Sequence, residues 1–235
     1  MRNTLVNLSN ACLICQASMY QAKSPINHLC LYCLEALEHK SASCSICDLP
    51  ISNGEICSSC QKNRPTFDQN ISAVLYFDLG KRLLQRLKTQ QEKKYIQLAA
   101  NLLTFKIKNR IHTLDYLTHT PRFKYEELST QSSLIINLGF EISKATKIPF
   151  KPFLIKQLKD KPKQKSLNAK NRLKAVADCY ECHCTFPGAS IGIIDDILTT
   201  GSTMNALAKT LKDKGAKNIT CLTLARTPKV KNKKI

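Results

Sequence analysis

Eight cysteines near the amino terminus have a spacing that suits metal binding. They form four C-x-x-C pairs within the first 60 residues, namely Cys12/Cys15, Cys30/Cys33, Cys44/Cys47 and Cys57/Cys60. Two residues between the thiolates allow a tight turn that points both sulfurs at one ion, so each pair supplies half of a tetrahedral four-sulfur site. The pattern predicts two structural zinc sites, which stabilise a segment with too few large apolar residues for a core of its own.

The sequence leaves the pairing of these four halves open. Sequential pairing, first with second and third with fourth, is the simplest arrangement, and an interleaved one also satisfies the spacing. Eight cysteines already complete two sets, so His28 and His39 are expected at the surface. Alternation in CYECHCTF predicts a strand with side chains on opposite faces, so no metal is expected at a later group of ligand-type residues. That group comprises Cys179, Cys182, His183 and Cys184.

A second chemical motif lies in the segment SIGIIDDILTTGSTMNALAKTLK. Its isoleucines predict a buried strand, which the adjacent carboxylates Asp195 and Asp196 follow at once. Free backbone N–H groups and the positive end of the next helix suit a phosphate monoester. The loop before that helix permits a tight turn and adds hydroxyl donors. It comprises Thr199, Thr200, Gly201, Ser202 and Thr203.

The acidic pair suits the sugar that such a phosphate carries. Two carboxylates at the carboxyl end of a strand can accept hydrogen bonds from a vicinal diol, and open α/β sheets bind ligands at such ends. The pair and the loop together predict a ribose 5-phosphate site. An ordinary turn with a helix cap is the alternative, and a Walker A loop is excluded because no Gly-Lys-Ser/Thr follows.

The elements that must position these residues divide the chain into three parts. A Cys-rich head spans residues 1–64, a body spans residues 65–228, and a disordered basic tail spans residues 229–235. In the body, predicted helices alternate with the strands ISAVLYF, LDYLTH, a run near 153–158, CYECHC, SIGIIDD and ITCLTLA. The alternation predicts an α/β fold, a parallel sheet with helices on both faces.

Charge and composition restrict the partners and the compartment. The net charge of +19, from 36 Lys+Arg against 17 Asp+Glu, favours a polyanionic partner, and nearly all of it lies in the body. The 28 residues from 147 to 174 hold ten basic side chains and one acid, so they predict a single-stranded DNA surface, with a merely solvated lysine face as the alternative. The lysines assigned to this surface are Lys156, Lys159, Lys161, Lys163 and Lys165. A cytoplasmic protein without a membrane span is expected, because no apolar stretch approaches roughly 20 residues.

The string from residue 191 to 203 resembles the phosphoribosyl-pyrophosphate motif of the type I phosphoribosyltransferases. With the four-pair head in front, residues 12–226 look like a ComF/ComFC-type protein, a double zinc ribbon fused to a phosphoribosyltransferase-like domain. RPTFD, the helix 80–88 and KPKQKSLNAKNRL are further matches. The resemblance implies binding of phosphoribosyl pyrophosphate with Mg²⁺, catalytic roles for Asp195 and Asp196, and phosphate contacts from the 199–203 loop. It also implies that Arg172 binds substrate, because its stretch matches the family's lid over the active site.

One stretch departs from the family pattern. A loop V-P-V-P-x-H-P followed by R-G-F-N-Q is usual there, whereas this chain has YLTHTPRFKYEELSTQ. Glu127, Leu128, Ser129 and Thr130 replace Arg, Gly, Phe and Asn, and only Gln131 is kept. A carboxylate where a guanidinium meets pyrophosphate is unfavourable. We therefore expect ribose-phosphate binding to be retained, and the sequence leaves open whether transfer is catalysed.

The preferred interpretation is a ComF-like competence protein that acts in uptake or processing of transforming DNA. It binds a ribose phosphate and single-stranded DNA, with the DNA-uptake machinery as a further partner. The alternative is an active phosphoribosyltransferase that transfers ribose 5-phosphate from phosphoribosyl pyrophosphate to a nitrogenous base. Neither the acceptor base nor the oligomeric state follows from the sequence.

Overall fold

The computed structural model describes residues 11–19, 24–38, 42–90, 92–108, 114–122, 130–159 and 179–229. The strands in these ranges are β1 (Gln69–Leu75), β2 (Tyr116–His119), β3 (Lys156–Gln157), β4 (Tyr180–Glu181), β5 (Ser190–Leu198) and β6 (Asn218–Arg226). The helices are α1 (Leu31–Leu37), α2 (Ser58–Lys62), α3 (Asp78–Gln90), α4 (Lys93–Ile107), α5 (Thr130–Thr146) and α6 (Ser202–Lys212). Most of the predicted basic tail, residues 230–235, lies outside the described residues.

Four parallel strands form the central sheet, in the order β1-β6-β5-β2. The inner strands β5 and β6 are apolar over most of their length, as parallel strands covered on both faces require. β2 is shorter than its neighbour: its last pairing joins His119 to Ile194, whereas β5 continues beside β6 until Leu198 lies opposite Arg226. The carboxyl end of β5 therefore extends beyond the end of β2.

Helices cover both faces of this sheet. α3, α4 and α5 pack against one another and against a cluster that includes Ile194 and Leu222. α6 belongs to a second cluster on the opposite face, which includes Ile191, Ile193 and Cys221. Successive side chains of β5 thus point to opposite faces. The predicted α/β fold is confirmed.

Two predicted strands are shorter than expected and do not join the parallel sheet. β3 and β4 pair antiparallel with each other as a separate two-stranded sheet. The CYECHC prediction is wrong beyond β4, because the chain leaves the ladder there and Cys179 and Cys182 are both buried. The segment before β3 instead lies beside β2, where Leu117 N–H donates to Pro149 O and Lys151 N–H donates to Leu117 O.

The Cys-rich head packs against the body on both sides of the sheet. Its first half, from Cys12 to Leu37, shares a cluster with α3, α4 and α5, and its second half, from Cys44 to Cys60, shares the cluster of α6. The domain boundary after residue 64 stays a prediction. Within the described ranges, no helix has the length and apolar character needed to cross a lipid bilayer.

Candidate functional site

The four cysteine pairs come together as two groups of four thiols. The sulfurs of each group lie within 4.8 Å of one another. The Cys15–Cys30 and Cys47–Cys57 sulfur distances are both 3.7 Å, close to the ~3.8 Å separation that Zn–S bonds of ~2.3 Å give in a tetrahedron. The first group is Cys12, Cys15, Cys30 and Cys33, and the second is Cys44, Cys47, Cys57 and Cys60. Sequential pairing is therefore the arrangement adopted.

The two groups are built as a structural repeat. In the CLIC turn the Gln16 N–H donates to Cys12 O, and in the CSIC turn the Asp48 N–H donates to Cys44 O. Gln16 and Asp48 both have positive φ, 63° and 57°, which lets the chain turn back sharply after the second cysteine. The other two cysteines of each group flank the first turn of a short helix, α1 or α2. Each half therefore combines a tight turn with a helix start.

Hydrogen bonds within each group favour thiolates. Burial opposes ionisation of Cys12, but the backbone N–H groups of Cys15, Cys30 and Ile14 lower its pKa to about 7. The equivalent bonds lower the pKa of Cys44 to about 7 in the second group. Burial and then the neighbouring thiols raise the pKa of Cys33 and Cys60. Four crowded sulfurs cannot all ionise without a cation, so the chemistry of both donor sets fits a divalent metal.

The acidic pair lies in the part of β5 that extends beyond β2. The prediction placed both carboxylates after the strand, whereas they lie within its last residues. Asp196 points to the α3 face, where its Oδ2 lies 2.7 Å from Lys88 Nζ. Asp195 is adjacent in the pleat and points to the α6 face. The two carboxylates thus reach the end of the sheet from opposite faces.

Asp195 titrates near neutrality. Burial and the charge of Asp196 raise its pKa to about 7, whereas the Asp196 N–H, the Thr120 hydroxyl and the Arg122 guanidinium act in the opposite direction. Asp195 Oδ1 accepts the Asp196 N–H at 2.9 Å. A carboxyl with this pKa changes between hydrogen-bond donor and full acceptor over the physiological range.

The 199–203 loop has the geometry of an anion site at a helix start. Gly201 caps α6 with φ of 80°, a left-handed conformation that only glycine adopts without strain. Gly201 has no side chain to cap the helix, and the Ser202 N–H donates only a long hydrogen bond of 3.4 Å to Thr200 Oγ1. Thr200 Oγ1 lies 2.9 Å from Ser202 Oγ, and Thr199 and Thr200 are exposed. Backbone and hydroxyl donors therefore converge at this end of β5.

Three further residues complete the site and were not assigned roles from the sequence. Lys88 comes from α3, Arg122 follows β2, and Tyr180 lies on β4. Burial and then the negative charges of Cys179 and Asp195 raise the pKa of Tyr180, which keeps its hydroxyl protonated. For Lys88, the match of its helix to the family's helix was a signal in the sequence. Arg122 and Tyr180 reach the site because of where β2 and β4 lie relative to β5, and no local sequence pattern predicts that.

Several predicted site residues cannot be placed. Arg172, Lys161, Lys163 and Lys165 lie outside the described residues, as do Glu127, Leu128 and Ser129. Lys156 and Lys159 are described and exposed. Phe153, between β2 and β3 in the chain, is 84% exposed and lies in the same lysine-rich segment.

The later cysteine group has ordinary packing roles in the described structure. Cys179 and Cys182 are buried in the cluster of α6. His183 is exposed, and its Nε2 lies 3.2 Å from Glu181 Oε2. The Cys182 thiol lies 3.7 Å from the Cys184 carbonyl oxygen, which accepts a weak hydrogen bond.

One segment of the chain matches a known class of domain. Residues 185–234, which include the acidic pair, the loop and α6, match the phosphoribosyl transferase domain family. The chain thus combines a phosphoribosyltransferase-like domain with a head of two four-cysteine groups. It is 25% identical over 224 residues to competence protein F of Haemophilus influenzae, a match that covers 92% of this chain and 96% of that protein. The chain is a homologue of competence protein F, and the predicted resemblance to the ComF family is confirmed.

The chain is also similar to a further relative and, over part of its length, to two solved structures. The DNA utilization protein YhgH of Escherichia coli is 22% identical over 208 residues, covering 85% of this chain and 90% of that protein. The adenine phosphoribosyltransferase of Thermoanaerobacter pseudethanolicus gives a TM-score of 0.38 at 14% identity, covering 58% of this chain and 83% of that one. The purine phosphoribosyltransferase of Pyrococcus horikoshii gives a TM-score of 0.35 at 17% identity, covering 56% and 82%.

Proposed function

We propose that this protein acts in the uptake or processing of transforming DNA and binds a ribose 5-phosphate group, as phosphoribosyl pyrophosphate with Mg²⁺. The main observation in favour of this ligand is that the acidic pair and the glycine-capped start of α6 lie together at the end of β5. Asp195 and Asp196 hold the ribose hydroxyls, and the 199–203 loop holds the 5-phosphate. The names of the relatives, a competence protein and DNA utilization proteins, support the biological role.

Each cysteine group holds one structural Zn²⁺ in this proposal. The all-sulfur donor sets and their tetrahedral spacing favour zinc over a hard, oxygen-seeking cation. Thiols in such groups must stay reduced, which agrees with a cytoplasmic location. Because the zinc ions sit within the head, their role is to stabilise the fold.

Single-stranded DNA is the proposed macromolecular partner. Lys156 and Lys159 are exposed in a segment without acidic residues from 142 to 159, and the exposed ring of Phe153 lies between them and Lys151 in the chain. Cations track a phosphate backbone and an aromatic face can stack on a base. The described part of the lysine-rich segment supports this assignment.

The experiment that tests the ligand is isothermal titration of phosphoribosyl pyrophosphate with Mg²⁺ into the full-length protein. Wild type is expected to bind. The double variant Asp195→Asn/Asp196→Asn is expected to bind at least roughly tenfold more weakly, because neutral amides accept weaker hydrogen bonds from the ribose diol than carboxylates do. Asp213→Asn, an exposed carboxylate on the far end of α6, is the matched control. Equal affinity in the double variant with an unchanged melting temperature contradicts the proposed site.

A second candidate function is phosphoribosyl transfer itself. The specific observation in its favour is Arg122, whose positive charge acts on Asp195 and offers a guanidinium near the site despite the loss of the family's R-G-F-N stretch. Pyrophosphate release with adenine, guanine, hypoxanthine or orotate as the acceptor distinguishes this function. Pyrophosphate release that is lost in Asp195→Asn supports a transferase. If no pyrophosphate is released although the ligand binds, the protein only binds the ribose phosphate.

A further inference from the structure

Arg226 joins the second cysteine group to the 199–203 loop. It is the last residue of β6 and is 8% exposed. Its Nε donates to Cys47 O at 2.9 Å, and its Nη2 lies 3.9 Å from Cys47 Sγ. Its Nη1 donates to Leu198 O at 2.8 Å and to Thr199 O at 2.7 Å. One buried guanidinium thus bonds to a member of the cysteine group and to the start of the loop.

These bonds fix which way the loop peptides face. In a trans peptide the C=O and the following N–H point in opposite directions. The Leu198 and Thr199 carbonyls point at Arg226, so the N–H groups of Thr199 and Thr200 point away from it. That orientation turns donors outward, which an anion on the loop requires.

A second contact follows the same route. The chain that leaves α2, which carries Cys60, reaches α6 directly: Thr66 N–H donates to Asn205 Oδ1 at 2.7 Å. Phe67 lies against Gly201, where an added Cβ would be 3.4 Å from its ring. The segment that follows the second group therefore contacts both the loop glycine and α6.

The first cysteine group is attached elsewhere. Arg86 on α3 donates to Leu13 O and, at 3.2 Å, to Ile14 O. The buried thiols of the first cysteine group pack in the cluster of α3, α4 and α5, on the opposite face of the sheet from α6. The two cysteine groups are thus similar in structure but have different neighbours. The first lies beside α3 and the second lies beside the 199–203 loop.

We propose that Arg226 is a positioning residue through which metal in the second cysteine group holds the 199–203 loop in its anion-binding conformation, while metal in the first group does not. The inference rests on the proposed ribose-phosphate site and adds a control of that site by one metal group. Loss of the second metal frees Cys47 to move, and the Cys47 carbonyl that holds Arg226 against the loop moves with it. By thermodynamic linkage, an anion on the loop in turn retains the second metal.

The test compares Arg226→Lys with Arg86→Lys in the full-length protein. Each change keeps the positive charge and removes the guanidinium fork, at the second cysteine group in one variant and at the first in the other. Affinity is measured by titration with phosphoribosyl pyrophosphate and Mg²⁺, and loop order by amide hydrogen exchange of the peptide that covers 198–203. Release of each metal by a chelator is followed through alkylation of the two cysteine groups, resolved by peptide mass spectrometry.

Arg226→Lys is expected to weaken binding at least roughly tenfold, to speed exchange in 198–203, and to speed alkylation of the second group alone. Arg86→Lys is expected to keep wild-type affinity and loop exchange and to speed alkylation of the first group. Wild-type affinity and loop exchange in Arg226→Lys overturn the proposal.

Wild-type protein provides an independent measurement if Arg226→Lys does not fold. Saturating phosphoribosyl pyrophosphate should slow alkylation of Cys44, Cys47, Cys57 and Cys60 and leave the first group unchanged. Equal slowing of both groups, or of neither despite binding, overturns the coupling. If wild type binds no ligand, the proposed function fails by itself, and faster exchange in 198–203 after chelation of the second metal still supports the clamp.

Discussion

The Lys88 ammonium lies 2.7 Å from the Asp196 carboxylate and joins α3 to the end of β5. The Asp196 side chain is 13% exposed and that of Lys88 is 36% exposed, so water screens this pair less than a surface pair. Asp196 therefore has a counter-charge before any ligand arrives.

The first prediction concerns the strength of this ion pair. A double-mutant cycle with Lys88→Met and Asp196→Asn is expected to give a coupling energy of about 1–2 kcal/mol in urea denaturation. The exposed pair Lys209–Asp213 has a similar distance of 2.8 Å and serves as the matched control. Its cycle, with the equivalent substitutions, is expected to give about 0.3 kcal/mol, because exposed pairs are screened and mobile. Equal couplings would show that burial does not strengthen the Lys88–Asp196 pair.

The second prediction follows from the titration of Asp195. Its pKa is raised from 3.8 to about 7 by burial and by Asp196, so the folded protein holds this proton more tightly than the unfolded chain does. The contribution of Asp195 to stability therefore falls as the pH rises from about 4 to about 7, and then stays level. Asp195→Asn mimics the protonated carboxyl and should gain stability relative to wild type across that window.

The measurement is urea denaturation of wild type, Asp195→Asn and Asp213→Asn between pH 5.5 and 8, with metal content checked at each pH. The Asp195→Asn advantage should grow with pH, and Asp213→Asn should follow wild type. A constant difference across the window contradicts the raised pKa.

The third prediction uses two glycines with the same backbone conformation. Gly201 has φ of 80° in the phosphate loop, and Gly188 has φ of 74° in a turn with nothing near its missing Cβ. Alanine at either position costs about 1–2 kcal/mol of stability, because L-residues are strained there. Only Gly201→Ala should also weaken phosphoribosyl pyrophosphate binding, because the strain at its positive φ falls within the loop that holds the phosphate. Titration of both variants checks this, and equal affinities would place the phosphate elsewhere.

Much of this site could be predicted because its signals are local in sequence. The C-x-x-C pairs, the buried run before Asp195 and the residues 199–203 each report their chemistry within a few positions. The site residues that the sequence did not predict depend on contacts between distant segments of the chain. Lys88, Arg122 and Tyr180 reach the site from three separate parts of the chain. The CYECHC alternation did not reveal that Cys179 and Cys182 both pack inward.

The link between the head and the loop illustrates the same limit. In the sequence, Arg226 is only the last residue of an apolar strand, and its neighbours do not predict a partner for its side chain. Its contacts with Cys47 and Leu198 arise because β6 lies between β1 and β5 and the second cysteine group docks at that end of the sheet. A residue whose partners lie in two distant segments leaves no periodic signal in the sequence.

The fourth prediction is the metal content. Protein purified without added metal is expected to hold two Zn²⁺ per chain by elemental analysis, because eight thiols form two complete tetrahedral sets. Cys60→Ser should reduce the ratio to one, whereas Cys221→Ser, a buried thiol outside both groups, should leave it at two. A ratio near zero in folded wild-type protein would exclude structural metal.

The last prediction separates a DNA-binding protein from a transferase whose basic surface is incidental. We expect single-stranded DNA binding with a steep salt dependence, because lysines that neutralise phosphates release the counterions condensed on the DNA. Charge reversal of Lys161, Lys163 and Lys165 should weaken binding to all sequences alike. It should also reduce the slope of log affinity against log salt by up to roughly 0.7 per phosphate contact removed.

Two controls make the comparison specific. Reversal of Lys93, Lys94 and Lys209, which are exposed on other elements, changes the net charge equally and should leave most of the affinity and slope. Phe153→Ala should weaken binding about tenfold if its ring stacks on a base, whereas Phe77→Ala, 71% exposed near the start of α3, should not. Fluorescence anisotropy with a labelled oligonucleotide at several salt concentrations measures all four variants. Salt-insensitive binding, or pyrophosphate release with a defined base that survives the lysine reversals, would instead favour the transferase.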